Sequence, residues 1–138
     1  MWIYKEEKDS FDGKIAKYCS LRSETTIDDV FVEINPRILV RQYNKKAQEI
    51  MLIVEGKVIG HPEGKDIIRM KFDNEDPISV GFSGTTDSSA DKIFLRSTSK
   101  IIAKFKTAKT LTVEIPFFME STQRFKFNVS GYNELCKF

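Results

Sequence analysis

A chain of 138 residues is long enough for one domain that buries roughly two thirds of its unfolded surface, so it needs neither a metal nor a disulfide framework to fold. Apolar residues at 41% and charged residues at 30% exclude a disordered polymer, and 22 basic against 20 acidic residues, a net +2, leave no electrostatic footprint for nucleic acid or an anionic membrane. The longest apolar run, Ile50 to Val54, is far too short to cross a bilayer as a helix.

Eleven Phe, with many Ile and Val, tilt the chain toward strands, where aromatic and β-branched side chains pack well. Trp2-Ile3-Tyr4 opens as a short strand, followed by a charged segment from Lys5 to Asp9 and the turn signal Asp12-Gly13. Lys14 to Ser23 reads as a strand with Ile15, Cys19 and Leu21 on one face and Ala16, Tyr18 and Ser20 on the other. Both faces are partly apolar, as in a sheet interior. A brief strand over Val30, Phe31, Val32 and Ile34 stops before Pro36, which cannot donate to a ladder. Extended pattern resumes over Ile38 to Tyr43, turns at Asn44 to Lys46, and runs again from Glu49 to Glu55.

Gly56-Lys57 is a further turn, Val58-Ile59 a short continuation, and Gly60-His61-Pro62-Glu63-Gly64 a loop. Ile68, Met70 and Phe72 then alternate with Arg69 and Lys71, one buried face against one wet face in the antiparallel manner. Ile78, Val80 and Phe82 alternate with Ser79, Gly81 and Ser83, and Lys92 to Arg96 adds a short strand. Between Ser97 and Ala108 the period lengthens: Ile101, Ile102, Phe105 and Ala108 share a helical face, with Ser97 or Ser99 as the candidate cap. The final hairpin sets Leu111, Val113, Ile115 and Phe117 against Phe125, Phe127 and Val129. Gly131 ends it, and Tyr132 to Phe138 reads as a tail. Strands about every ten residues predict an all-β fold, a mostly antiparallel β-sandwich with one short α-helix at about 97–108, forming a single domain over 1–138.

The two cysteines, Cys19 and Cys136, sit near opposite ends. Bonded, they would tie the first long strand to the tail, which requires an oxidising compartment and Cα atoms within about 7 Å; otherwise they are two ordinary thiols. No segment reads as a signal peptide, so the expected location is periplasmic or otherwise extracytoplasmic if a leader has been removed, and cytoplasmic otherwise.

Several short landmarks recur together: Trp2-x-Tyr4, Asp12-Gly13-Lys14, Leu39-Val40-Arg41, Ile68 to Asp73, and Lys109-Thr110-Leu111 through Phe125-Lys126-Phe127-Asn128-Val129-Ser130-Gly131. On these the chain resembles a loose family of small bacterial envelope-associated β-sandwich domains, secreted or lipoprotein in context and without a settled activity. The resemblance implies export and spans nearly the whole chain, but it carries over no catalytic residue.

Chemistry-bearing constellations are sparse. His61 is the single histidine, flanked by Gly60 and Pro62, and without a recognisable Ser or Cys partner it reads as a surface loop residue rather than a triad base. One His and two distant Cys do not make a zinc set, and no calcium loop pattern occurs. Asp28-Asp29 and Asp73-x-Glu75-Asp76 read as solvated turns. A glycosidase would need paired carboxylates beside exposed aromatics, for which Trp2, Tyr43, Phe118 and Tyr132 are the candidates. Gly84, Thr85, Thr86, Asp87 and Ser88 form a small polar loop that, with His61, is the candidate contact surface, since function tends to sit on loops held by a rigid scaffold. Asn128-Val129-Ser130 matches a glycosylation sequon by chance within a strand, and Lys100, Lys104, Lys106 and Lys109 read as a solvated helix face. The expected function is a non-enzymatic binding module, with a partner protein, no nucleic acid and no cofactor. The competing expectations are a carboxylate hydrolase with a shallow cleft and a phage- or plasmid-encoded blocker of a host factor.

Overall fold

The computed structural model describes residues 1–28, 33–87 and 89–138. Its strands are β1 (Ile3–Lys8), β2 (Ile15–Arg22), β3 (Ile27–Asp28), β4 (Glu33–Ile34), β5 (Arg37–Tyr43), β6 (Glu49–Ile53), β7 (Ile67–Phe72), β8 (Ile78–Gly84), β9 (Lys92–Leu95), β10 (Thr110–Ile115) and β11 (Gln123–Asn128). Two helices join them, α1 (Thr98–Thr107) and α2 (Tyr132–Leu135). The architecture is all-β and antiparallel, as the period-two patterning predicts. In β7 Ile68, Met70 and Phe72 are buried while Arg69 and Lys71 face water. In β11 Phe125 and Phe127 are buried while Arg124, Lys126 and Asn128 are exposed. Alternation of this kind fixes register, because a one-residue slip would turn every apolar side chain outward.

Hydrogen bonding is continuous through one nine-stranded sheet in the order β1-β2-β5-β6-β9-β8-β7-β10-β11, with β3 and β4 forming a separate pair. The two halves of the large sheet are joined by β8, which changes partner midway. Its Ile78–Gly81 half pairs with β7, and its Phe82–Gly84 half pairs with β9. The change of partner falls between Gly81 and Phe82. On Gly81 a Cβ would lie 3.2 Å from Arg96 Cδ, while the Arg96 N–H donates to the Gly81 carbonyl at 2.8 Å. The inward residues of both halves, from Val40 and Leu52 to Val113 and Phe127, form one core.

The chain's ends draw the sheet into a curl. Trp2 Nε1 donates to the Val129 carbonyl, the Glu24 N–H donates to the Lys126 carbonyl at 2.7 Å, and the Lys126 N–H donates to Thr25 Oγ1 at 2.9 Å. The outer edge of β11 is thereby engaged by the segment that follows β2. Helix α1 lies over the same end of the sheet and buries Ile101, Ile102 and Phe105. The Phe105 ring meets Trp2 at 5.3 Å, Tyr132 at 5.6 Å and Phe72 at 6.0 Å, so one aromatic cluster unites the N-terminus, both helices and β7. Cys19 on β2 is bonded to Cys136 just beyond α2, with Cα atoms 5.6 Å apart.

Four expectations need correction. The segment from Lys5 to Lys8 is not a charged connection but the continuation of β1, paired residue for residue with β2 from Glu7↔Ala16 to Lys5↔Tyr18. At an edge strand the outward positions tolerate charge, so apolar alternation is not required there. Ser97 does not cap α1 through its side chain; it takes a left-handed φ of 59° and makes no cap hydrogen bond. The tail is α2 plus the disulfide anchor, and Trp2 and Tyr132 are buried rather than exposed. The expected strand residues Val30, Phe31 and Val32 lie outside the described residues.

Candidate functional site

The loop after β8 closes on itself. Thr85 Oγ1 donates to Asp87 Oδ1, and the Ser89 N–H donates to Asp87 Oδ1 at 3.0 Å and to Thr85 Oγ1 at 3.2 Å. These are the local side-chain to backbone bonds that make Asp and Thr turn formers. The Thr85 hydroxyl first, and then the Ser89 side chain and N–H, hold the Asp87 carboxyl down to about 2. Thr86 is exposed, a Cβ at Gly84 would touch nothing within 4 Å, and Ser88 lies outside the described residues. His61 is placed by Asp66, whose Oδ1 lies against its Nδ1, and by the Phe82 ring at 5.6 Å, two positions before Gly84. The two parts of the expected contact surface therefore flank the same strand end. Among the described residues no hydrogen bond joins them, and the loop's carboxylate and hydroxyl are turned to one another.

A second candidate stands on the outer face of β7, β10 and β11. Register sets Lys71, Thr112 and Lys126 in one cross-strand row and Arg69, Glu114 and Arg124 in the next. Adjacent strands lie about 4.8 Å apart and residues two apart along a strand about 6.6 Å, so the four cationic side chains leave the backbone at the corners of a rectangle of roughly 7 by 10 Å. Between them run the Thr112 hydroxyl and the Glu114 carboxylate. Arg124 Nε donates to Glu114 Oε2 at 3.0 Å, and Arg69 Nη1 lies 3.8 Å from Glu114 Oε1. Among the described residues Lys71 and Lys126 have no carboxylate within ion-pair distance. A groove of about 290 Å³ runs over this face, bounded by Pro77, Arg69, Lys71, Thr112, Glu114 and Arg124. A separate shallow depression that shares Glu114 and Arg124 lies against Thr122 and Gln123 near the hairpin tip. Sequence reading missed this face because β7 and β11 are far apart in the chain; the available signal was the exposed Arg-x-Lys on both strands, Arg69-Met70-Lys71 and Arg124-Phe125-Lys126.

Elsewhere, Val58, Phe118 and Met119 are exposed on two loops that the Ile59↔Phe117 bridge and the Phe118 N–H to Val58 carbonyl bond hold together. Of the four aromatics singled out as possible sugar platforms, Tyr43 and Phe118 are exposed. Asp73 and Asp87 have carboxyls held below the usual range, Asp73 chiefly by the backbone N–H groups of Thr110 and Lys109. Among the described residues no group of three or more His, Cys, Asp or Glu is placed to hold a metal, and no helix is long and apolar enough to cross a membrane. Compared with known proteins, the chain matches no family model, no curated protein and no solved structure.

Proposed function

We propose that the chain is a non-enzymatic binding or interaction module of the bacterial cell envelope, periplasmic or otherwise extracytoplasmic, whose partner docks on exposed surface. The observation that carries this reading is the Cys19–Cys136 bond, since such cross-links persist in oxidising compartments and are rare where glutathione keeps thiols reduced. The motif resemblance to envelope-associated, secreted or lipoprotein-like domains points the same way.

Binding is favoured over carboxylate hydrolysis by the electrostatics of the acids. A hydrolytic pair needs two carboxyls in one cleft, one of them raised so that it can act as an acid. Among the described residues both carboxyls with a clear displacement are lowered, and the acid that lines the groove on β7, β10 and β11, Glu114, is clamped between two guanidinium groups.

The test is the thiol state in living cells. Cells making the native chain are treated with a membrane-permeant maleimide before lysis, and the envelope is separated from the cytoplasm. The expected result is a chain in the envelope fraction whose cysteines take up label only after reduction. Labelling without reduction, in a cytoplasmic chain, overturns the reading.

A further inference from the structure

The four cations around Glu114 are more than the wet side of a sheet. They concentrate three net positive charges on one face, whereas the whole chain carries +2, so the remaining surface has a slight acidic excess. The acids adjoining this face among the described residues include Asp73, opposite Thr110 one row beyond Lys71, Asp76, next to Pro77 in sequence, and Glu24, whose N–H donates to the Lys126 carbonyl. Glu114 accepts from Nε of Arg124 and so orients its guanidinium, and among the described residues no hydrogen bond occupies its terminal nitrogens. Among the described residues, Lys71 and Lys126 supply two ammonium groups with no carboxylate within ion-pair distance.

We infer that the outer face of β7, β10 and β11 binds an anionic polysaccharide, with Arg69, Lys71 and Arg124 of the groove and Lys126 beside it taking its sulfate, phosphate or carboxylate groups and Thr112, Thr122 and Gln123 its hydroxyls. The assignment rests on the reading of the chain as an extracytoplasmic binding module and names the ligand class of that module. Register favours a chain over a single ion, because the four side chains leave the sheet from three strands at backbone positions roughly 7 to 10 Å apart and so spread along the face rather than around one point. Neutral hydrogen-bonding groups lead away from the cations to the hairpin tip, where sugar hydroxyls between charged units would lie.

The experiment is a fluorescence anisotropy titration of the oxidised chain with a labelled heparin hexasaccharide at 50 and 200 mM salt, repeated with Lys71→Gln/Lys126→Gln. Both lysines are exposed, so the variant should fold, which a melting curve checks. The control variant Lys100→Gln/Lys106→Gln makes the same change in net charge on α1. The expected result is saturable binding that the β7/β11 variant weakens by about tenfold or more. The dependence of log affinity on log salt should become shallower by about two, while the control stays within about twofold of the native chain. No binding at 50 mM salt, equal losses in both variants, or tighter binding of a single-stranded oligonucleotide of matched charge overturns the assignment. Should binding fail while the cysteines prove oxidised in the envelope, the ligand class falls and the module reading stands.

Discussion

Trp2 donates its indole N–H to the carbonyl of Val129 at 2.9 Å, joining the residue before the first strand to the residue after the last. Both are fully enclosed by the core, and the Trp2 ring also meets Tyr132 at 5.2 Å. Trp2→Ala removes ring, hydrogen bond and aromatic contacts together, and should cost about 3 to 5 kcal/mol. Trp2→Phe keeps most of the apolar volume but leaves the Val129 carbonyl without its partner, and should cost about 1 to 3 kcal/mol. Urea unfolding separates the two; equal costs would place all of the effect in the hydrogen bond and none in the ring.

The Cys19–Cys136 bond closes a loop over a sequence separation of 117 residues. By the chain-entropy argument such a bond restricts the unfolded state strongly, and its loss should cost about 2 to 5 kcal/mol. The urea midpoint of the native chain should therefore fall in reducing buffer, while that of a Cys19→Ala/Cys136→Ala variant should not change between buffers. A native midpoint indifferent to reductant would contradict the account.

Acid sensitivity follows from two turn carboxylates. Asp87 is held at about 2 by Thr85 and Ser89, and Asp73 is lowered by the N–H groups of Thr110 and Lys109. A carboxyl depressed in the folded state stabilises it fully above the unfolded value, and that contribution is lost as pH falls through the folded value. For Asp87 the window runs from the ordinary 3.8 down to about 2. Asp87→Asn and Asp73→Asn should each lower the melting temperature at pH 7, and the differences from the native chain should shrink below pH 4. Differences unchanged at pH 2 would show that charge is not what these hydrogen bonds favour.

Two glycines separate close approach from open space. A Cβ on Gly60 would lie 3.2 Å from backbone atoms of Phe117 and Phe118, which the Gly60 N–H to Pro116 carbonyl bond holds in place. Gly60→Ala should cost about 1 to 3 kcal/mol, as an overpacked site does. Gly84→Ala meets nothing within 4 Å and should be neutral or stabilising by up to about 1 kcal/mol through the unfolded state. Melting curves of the pair test the tight apposition of the two loops at 56–60 and 116–120.

Much of the fold is legible in the sequence because burial and period coincide. Ile68, Met70 and Phe72 alternate with Arg69 and Lys71 on a one-sided strand, and Ile101, Ile102 and Phe105 fall on one helical face, so pattern and structure agree. Where burial comes from partners remote in sequence, local pattern is silent. Trp2 and Tyr132 read as terminal aromatics until α1 brings Phe105 between them, and β1 hides in Lys5 to Lys8 because an edge strand has little to bury. The loop at 84–87 was visible by its hydroxyls and its glycine, yet hydroxyls read from sequence do not disclose that Thr85 and Asp87 spend their hydrogen bonds on each other. The basic face required strand order: only the β7-β10-β11 register sets Lys71 and Lys126 on either side of Thr112.

Amide chemical shifts of the ¹⁵N-labelled, oxidised chain during titration with a heparin hexasaccharide test the central claim most directly, that this scaffold acts through the outer wall of β7, β10 and β11. The account predicts shifts confined to residues 69–71, 112–114 and 122–126, with Lys71 and Lys126 among the largest. Shifts centred instead on His61 and residues 84–87, or spread evenly over every exposed lysine, would contradict it.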